Sequence, residues 1–572
     1  MLQNICISAF IYIHTLLIIP KFITNAMSLY GYNGDKNMEE IHDDVIFAPI
    51  TPVGGAVCVV RVSGGANALK VFQLFQVEPD KFKHRLATVT NVINPSDERC
   101  IVDHAIVTVF FAPNSFTGEN VIEIAMHGGN YVVRQLCDML AKHCNFRFAK
   151  GGEFAKRAFL NGKIDLVTAE GINAIIRAET ASQHALATKM YNGSAGEVYK
   201  KWRSDIISAI ALLEVGVDFS DEDIPENVIK EFEKKISTMI DEMSRQIDMF
   251  AVCEKINNGV DIAIIGLPNA GKSSLINALS RKDVAIVTDI AGTTRDAIEC
   301  KVDLAGVAVN FIDTAGIRES SDLIEMMGVE ASIRKMGESS FNIITIDGSA
   351  IVSEFGTVNN AAIAACFEGI ELKVGDIIAV NKIDEINNAI SNSVNNVANN
   401  TANNVANNVA KNSVNNANAS DASSKGKPHD EGRMEESIKN SIIEELLKFA
   451  NGKSGKSTSN TKIEEGDIIF ISAKSGVGIS QILDAISLKV NASGISASSV
   501  KGNASDYAIS IDRHREYIAE VVNILRQANI SDPHELLLDN LNYAASLIGG
   551  ITGEIGVDDI LDNIFNKFCI GK

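Results

Sequence analysis

Features that mark several common protein classes are missing from this sequence. Its nine cysteines include no Cys-x-x-Cys pair, the spacing on which zinc ribbons depend, and they give no sign of a disulfide framework. Acidic residues outnumber basic ones by 72 to 52, for a formal net charge of −20. The surface as a whole therefore cannot bind nucleic acid non-specifically, and any RNA contact must be local or shared with a partner.

Long apolar runs are also scarce. The one near the start, residues 5–20, is short for a membrane span and lacks the basic segment that precedes the core of a signal peptide. Because Met27 and Met38 both precede the first motif, we expect residues 1–43 to be an extension that is disordered or not native. We expect a cytoplasmic protein with no membrane partner; the alternative is membrane association through residues 5–20.

What is present suffices for several domains. The 572 residues predict three or four domains at about 150 residues each. Strand-like runs that alternate with turn clusters predict a small α/β domain over residues 44–161. Residues 162–255 are nearly free of proline and carry apolar side chains at helical spacing, which predicts a first helical stretch.

An α/β pattern returns over residues 256–490, and a second helical stretch follows over 491–572. Residues 385–466 interrupt this pattern with an Asn-rich segment in which Asn-Asn-Val-Ala recurs. Low-complexity sequence of this kind cannot build a core, so we expect a disordered insert there. The predicted fold class is therefore α/β plus α.

A phosphate-binding loop opens the second α/β segment. Residues 266–273, Gly-Leu-Pro-Asn-Ala-Gly-Lys-Ser, match GxxxxGK[ST] and lie between a predicted strand and an amphipathic helix beginning near Ser274. In such a loop, backbone N–H groups and the helix N-terminus face the phosphates. Lys272 adds a positive charge, and the Ser273 hydroxyl can ligate Mg²⁺.

Three further elements follow in the order expected of a GTPase, each after an apolar strand. Residues 313–316, Asp-Thr-Ala-Gly, place a carboxylate near the metal, and residues 472–474, Ser-Ala-Lys, add a loop over the base. In residues 381–384, Asn-Lys-Ile-Asp, the carboxylate of Asp384 can accept from two guanine donors that adenine lacks, so the nucleotide is predicted to be GTP. The residues predicted to bind it are Asn269, Ala270, Gly271, Lys272, Ser273, Ser274, Asp313, Thr314, Ala315, Gly316, Asn381, Lys382, Asp384, Ser472, Ala473 and Lys474.

Hydrolysis also needs a group that orients water and a positive charge on the transferred phosphate. Ile317, which follows Gly316, cannot orient water, so a polar residue from elsewhere must do so, and the nearest supply is the acid-rich stretch 319–325. No arginine finger is evident in this segment. Asn269, inside the phosphate loop, suggests a second cation instead.

These motifs resemble one family closely, the MnmE (TrmE) tRNA uridine-modifying GTPases. The resemblance also includes 114–119 (Asn-Ser-Phe-Thr-Gly-Glu), 157–161 (Arg-Ala-Phe-Leu-Asn), 292–296 (Gly-Thr-Thr-Arg-Asp) and the final Phe-Cys-Ile-Gly-Lys. It implies a homodimer. It also implies an N-terminal α/β folate-binding domain, a discontinuous helical domain, and a Ras-like, doubly wound P-loop GTPase domain inserted into the helical one.

The resemblance further implies roles for particular residues. Glu325 would orient the attacking water and Lys272 would complete the catalytic pair, while Thr294 would join Ser273 on Mg²⁺. A K⁺ ion would replace the arginine finger and make the GTPase K⁺-stimulated. Its implied ligands are Asn269, Thr288, Ile290 and Thr293, and the implied folate-binding residues are Arg61, Glu123, Lys163 and Lys572.

The implied activity is joint work with the flavoprotein MnmG in a heterotetramer. Together they would form the 5-carboxymethylaminomethyl or aminomethyl group on the wobble uridine of tRNA. The one-carbon unit would come from a tetrahydrofolate derivative, 5-formyl or 5,10-methylene. FAD and NADH would belong to the partner, since no GxGxxG motif occurs here between a strand and a helix. The alternative is a ribosome-assembly GTPase acting as a binding switch, which needs no folate pocket.

Two further features of the sequence each allow two interpretations. Residues 146–163 contain five basic residues against the single acid Glu153, so this run is a candidate RNA-facing patch or else a solvated face. The five are Arg147, Lys150, Lys156, Arg157 and Lys163. Cys569 is either a nucleophile or a small buried residue that anchors the tail.

Overall fold

A computed structural model describes residues 44–217, 226–281, 300–313, 337, 339–352, 357–368, 370–388, 428–453, 463–492, 494–495, 507–530, 533–555, 561, 564–565, 568 and 571. Contacts divide the chain into two units. The first contains residues 1–173, 190–233 and 527–572, and the second contains residues 174–189 and 234–526. The predicted extension, residues 1–43, lies outside the described residues.

The first unit contains a six-stranded sheet whose order is β3-β4-β5-β2-β1-β6, antiparallel except for the β1–β6 pair. Side chains alternate across β2, where Cys58, Val60 and Val62 join the buried core on one face. Arg61 therefore lies on the opposite face. The strands are β1 (Ile46–Pro49), β2 (Val57–Gly64), β3 (Ala87–Asn94), β4 (Asp97–Phe110), β5 (Asn120–His127) and β6 (Arg147–Phe148).

Helices of the first unit pack on this core and on one another. The helix Asn130–His143 covers the apolar face of the sheet, and Ser194–Val217 packs along His534–Thr552. The remaining helices of this unit are Glu153–Leu160 and the 3-10 helices Ala66–Leu74 and Pro79–Lys81. Four more helices have residues in both units: Leu166–Arg177, Ala181–Tyr191, Glu226–Asn258 and Asp512–Gln527.

The last residues of the chain return to the N-terminal part of the first unit. Phe565 and Phe568 share a small core with Ala155 and Leu166. A Cβ added to Gly571 would lie 2.6 Å from the carbonyl oxygen of Pro49. Gly571 has a positive φ of 98°, so this close approach of two backbones needs a glycine.

The second unit contains a six-stranded sheet of order β12-β11-β10-β7-β9-β8, parallel except for β8. Strands β8 and β9 lie on one side of β7, and β10, β11 and β12 lie on the other. The strand order therefore reverses at β7. Ligands bind at such switch points, beyond the carboxyl ends of the strands. The strands are β7 (Val260–Ile265), β8 (Cys300–Leu304), β9 (Val307–Asp313), β10 (Phe341–Asp347), β11 (Ile377–Asn381) and β12 (Ile468–Phe470).

The helices of the second unit include one that the sequence analysis missed. They are Lys272–Ser280, Gly348–Ile351, Asn360–Cys366, Pro428–Lys453, Ile479–Ala492 and the 3-10 helix Glu465–Asp467. The α/β plus α fold class is thus confirmed. Among the described residues, no helix combines the length and apolar character needed to cross a bilayer.

The expectation that residues 385–466 contribute nothing to a core was wrong at both ends of the range, where Ile386 and Ile463 are buried, and in one helix within it. Ile438, Ile442, Leu446 and Ala450 are buried in the core of the second sheet, on the helix Pro428–Lys453. Their four-residue spacing places them on one helical face. Residues 389–427, which hold the Asn-Asn-Val-Ala repeats, lie outside the described residues.

Candidate functional site

The loop after β7 adopts backbone angles that its glycines make possible. Gly266 has φ 150° and Gly271 has φ 94°. A Cβ on Gly266 would lie 2.2 Å from the Thr345 carbonyl oxygen, and one on Gly271 would lie 2.1 Å from Asn381 Nδ2. Neighbouring atoms leave no room for a side chain at either position, and the helix then begins at Lys272, two residues before the predicted Ser274.

The Lys272 side chain reaches back over this loop from the first position of the helix. Its side chain is buried, and its Nζ donates to the carbonyl oxygens of Gly266 at 2.8 Å and Leu267 at 3.0 Å. These bonds fix an ammonium group beside the loop backbone, where a phosphate oxygen can meet both. The hydroxyl-bearing Ser273 and Ser274 follow on the first helical turn and are exposed.

Three of the four predicted nucleotide elements meet around one cavity of about 590 Å³. The helix after the phosphate loop contributes side chains at i, i+3, i+4 and i+7, a single helical face. This spacing was available in the sequence, and it would have added Asn277 and Arg281 to the predicted set. The lining residues are Gly271, Ser274, Asn277, Ala278, Arg281, Asn381, Lys382, Asp384, Glu385, Ser472, Ala473, Lys474, Ser475 and Gly476.

Asn381 holds two of the loops around this cavity together. Its Nδ2 donates to the Ala270 carbonyl oxygen at 2.9 Å, and its Oδ1 accepts from the Ala473 N–H at 3.0 Å. Asn381 is buried, so its amide is used inside the protein. Its contribution is to fix the phosphate loop and the 472–474 loop relative to each other.

Asp384 differs from Asn381 because its carboxylate is available. It is half-buried in the cavity wall, and it makes no hydrogen bond or ion pair to any described residue. Lys382, two residues earlier, has a positive φ of 63°. Its Nζ donates to Asp347 at 2.6 Å, a partner that the sequence analysis did not identify.

Several predicted residues lie outside the described part of the chain. They are Thr288, Ile290, Thr293, Thr294, Thr314, Ala315, Gly316, Glu325 and Lys572, together with Cys569. Asp313 is the last residue of β9 and pairs in register with Ile264 of β7. Its backbone therefore lies at the sheet edge from which the phosphate loop begins.

The residues predicted to bind folate lie in the first unit. Arg61 and Glu123 are cross-strand neighbours on β2 and β5, and they are ion-paired at 2.8 Å. The Arg61 guanidinium also lies 5.4 Å from the ring centre of Phe116 and 5.5 Å from that of Phe154. Lys163 is exposed, and its Nζ donates to the Pro113 carbonyl oxygen at 3.0 Å.

The chain's last described residue lies in the same region as Arg61. Gly571 contacts Ile50, and Ile50 packs with Phe116 against a core that contains Phe154. The two rings beside Arg61 are therefore joined to the tail through one apolar cluster. The structure brings together the N-terminal sheet and the segment that precedes Lys572.

The structure engages two of the five basic residues of the candidate RNA-facing patch, residues 146–163, in ion pairs. The Arg157 side chain is only 1% exposed, and its guanidinium pairs with Asp44, Glu119 and Glu153. Arg147 is also used, since it pairs with Asp44 and Glu153. Asp44 and Glu119 lie outside the sequence window, and so two charges of this basic run are paired in the fold, whereas Lys150 and Lys163 are exposed.

Comparison with known proteins gives consistent matches. A family model described as the GTP-binding protein TrmE N-terminus matches residues 45–163, and one described as the MnmE helical domain matches residues 166–569. A protein named tRNA modification GTPase MnmE from Rickettsia prowazekii (strain Madrid E) is 34% identical over 532 residues, covering 92% of this chain and 100% of its own. The protein of the same name from Rickettsia typhi (strain ATCC VR-144 / Wilmington) is 34% identical over 531 residues, with the same coverage of each chain.

Solved structures include more distant likenesses. A GTP-binding protein from the archaeon Sulfolobus solfataricus, in complex with GDP, is 15% identical with a TM-score of 0.23 and covers 51% of this chain and 67% of its own. A TM-score this low is too weak to support an argument.

Proposed function

The chain belongs to the MnmE family of tRNA modification GTPases, and from that premise we propose how it carries out GTP hydrolysis and tRNA modification. It is a GTP hydrolase that acts in tRNA modification. We propose that the chain forms a homodimer and acts together with the flavoprotein MnmG. This complex forms the 5-carboxymethylaminomethyl or aminomethyl group on the wobble uridine. The one-carbon unit comes from a tetrahydrofolate derivative. The observation that carries this proposal is the tail residue Gly571 lying against the N-terminal domain that holds Arg61 and Glu123.

GTP binding uses the chemistry of the cavity. The phosphates meet the loop backbone, the N-terminus of the helix Lys272–Ser280 and the Lys272 ammonium. The base meets Asp384. Its carboxylate makes no hydrogen bond or ion pair to any described residue, so it can accept from guanine N1–H and N2–H₂. An adenine ring presents no such donor pair, so it would leave this carboxylate unsatisfied.

Mg²⁺ fits the donors at this edge of the sheet. Ser273 supplies a hydroxyl on the first helical turn, an oxygen ligand of the kind that suits Mg²⁺. The backbone of Asp313 ends the strand beside β7, and we propose that its carboxylate lies near the metal. Bound there, the metal neutralises charge on the phosphates. We propose Thr294 as a further ligand, Glu325 as the residue that orients water, and Asn269, Thr288, Ile290 and Thr293 as a K⁺ site.

Folate binding is proposed for the face of the first sheet that carries Arg61. Glu123 can accept from the pterin edge, and the Arg61 guanidinium can meet a carboxylate or a one-carbon carbonyl. The rings of Phe116 and Phe154 supply apolar surface beside that charge. Lys163 and Lys572 add positive charge for the glutamate tail of the ligand. A ribosome-assembly switch would have no use for this set.

The test is binding of 5-formyltetrahydrofolate to the full chain and to a variant that ends at Lys567. We expect the truncation to weaken binding at least tenfold, because the residues near Gly571 and Lys572 are lost, while GTP hydrolysis persists. Lys142→Ala, a change at an exposed position on the helix Asn130–His143 of the same unit, is the matched control and should bind normally. Absence of folate binding to the full chain would contradict the proposal and favour the ribosome-assembly switch.

A further inference from the structure

One ion pair beside the nucleotide cavity joins Lys382 to a residue that belongs to none of the predicted motifs, Asp347. Asp347 is the last residue of β10 and pairs in register with Asn381 of β11, which places it next to Lys382. Its Oδ2 accepts from Lys382 Nζ at 2.6 Å, and the two side chains are 22% and 28% exposed. The pair thus joins the guanine-binding loop to the neighbouring strand.

The Asp347 carboxylate is itself held in place from the other side. Its Oδ1 accepts from the Ser349 N–H at 3.0 Å and from the Ser349 hydroxyl at 2.7 Å. Burial raises the pKa of Asp347. The hydrogen bonds from Lys382 and Ser349 and the Lys382 charge together have a larger effect in the opposite direction, so the pKa lies below its usual value. A fixed, charged carboxylate therefore faces the lysine.

Lys382 has other carboxylates within electrostatic reach. Its pKa is raised first by the hydrogen bond to Asp347, and the negative charges of Glu385 and Asp384 raise it as well. A lysine side chain is long and flexible, so without Asp347 the ammonium would be drawn to these neighbours. A pair between Lys382 and Asp384 would weaken guanine binding, because the lysine would occupy the carboxylate oxygens that the guanine needs.

We propose that Asp347 is a positioning residue for guanine recognition: by binding the Lys382 ammonium, it keeps the Asp384 carboxylate free for the base. The proposal rests on the guanine-binding role of Asp384 given above. It predicts that the effect of Asp347 appears in the choice of base and acts through Lys382.

The experiment measures the affinities of the full chain for GDP and for IDP, whose base lacks the N2 amino group. Asp347→Asn keeps an oxygen for the Ser349 cap and removes the charge that holds Lys382. We expect GDP affinity to fall about threefold to fivefold, the size of a partly exposed ion pair. IDP affinity should fall less, because IDP gives Asp384 one donor fewer, so the preference for GDP decreases.

Two further variants separate positioning from a general loss of structure. In a Lys382→Met background, Asp347→Asn should cause no additional loss, because the competing ammonium is gone. Asp347→Glu should restore part of the preference for GDP. An unchanged GDP-to-IDP ratio in Asp347→Asn, or an equal loss in the Lys382→Met background, would overturn the proposal.

Asp384→Asn distinguishes failure of this inference from failure of its premise. If Asp384→Asn leaves the GDP-to-IDP ratio unchanged, Asp384 does not bind the base and the premise is wrong. If Asp384→Asn removes the preference and Asp347→Asn does not, the premise stands and Asp347 has no positioning role.

Discussion

The two sheets of this protein treat their candidate ligand-binding charges in opposite ways. Beside the second sheet, Asp384 makes no hydrogen bond or ion pair to a described residue, while Asp347 holds Lys382. On the first sheet, Arg61 and Glu123 are paired with each other at 2.8 Å. One site keeps a carboxylate free for its ligand; the other has its two charges already satisfied.

This difference predicts different costs of binding. A guanine that meets Asp384 gains hydrogen bonds without breaking any that the described residues make. A folate that meets Glu123 must share or displace the bond from Arg61, and exchanging one charge-assisted bond for another yields less net free energy. The ion pair between Arg61 and Glu123 therefore reduces the net free energy that folate binding can gain at the first sheet.

The largest expected effect comes from breaking the most buried charges of the first unit. Arg157→Ala removes a cation that Asp44, Glu119 and Glu153 share, although Arg147 still pairs with Asp44 and Glu153. Loss of one partner from a buried ion pair costs roughly 3–5 kcal/mol. Thermal unfolding of the full chain should show a transition at clearly lower temperature. Lys142→Ala, whose ion pair is exposed, is the control and should change stability by less than about 0.5 kcal/mol. A loss below about 1 kcal/mol for Arg157→Ala would refute this account.

A smaller effect is expected from uncoupling the Arg61 pair. Glu123→Gln keeps the size of the side chain and removes its charge, so binding of 5-formyltetrahydrofolate should weaken about tenfold through loss of charge-assisted bonds. GDP affinity, measured in parallel, should not change, and Glu123→Asp should recover part of the loss. Tighter folate binding by Glu123→Gln would mean that the ion pair obstructs the ligand instead of receiving it.

The smallest effect concerns pH. Burial raises the pKa of Glu153. Hydrogen bonds from Arg147 and the Lys150 N–H, with the charges of Arg147 and Arg157, have a larger effect in the opposite direction, so the pKa lies below its usual 4.5. A carboxyl with a lowered pKa stabilises the fold above its unfolded pKa, and this contribution is lost as the pH falls through the folded value. Glu153→Gln should therefore lose stability at pH 7 and show a shallower decline below about pH 4.5.

Urea unfolding between pH 3 and 7 measures this dependence. Glu231→Gln, a change at an exposed position on the helix Glu226–Asn258, is the matched control and should follow the wild-type curve. Parallel curves for wild type and Glu153→Gln would contradict the assignment.

The sequence predicted what depends on short spacing. The phosphate loop and the loops at 381–384 and 472–474 each follow a strand, and the structure brings them to one cavity. The sequence alone could not show contacts that depend on strand register. Asp347 meets Lys382 because β10 and β11 are neighbours in the sheet. Arg157 illustrates the same limit, because Asp44, one of the carboxylates that pair with it, is far away in sequence.

Composition misled in one further case. The Asn-rich character of residues 385–466 concealed a buried apolar face on the helix Pro428–Lys453. An average over a long window hides four side chains at regular spacing, whereas periodicity within the window identifies them.

The contact of Gly571 with Pro49 and Ile50 also has a consequence for synthesis. These residues are about 520 positions apart, so at 5–20 residues per second a ribosome adds the second roughly half a minute to two minutes after the first. The N-terminal sheet must remain soluble throughout that interval with one of its contacts missing. A chain that stops between residues 492 and 561 would contain every residue that lines the nucleotide cavity but would lack the tail that contacts the N-terminal sheet.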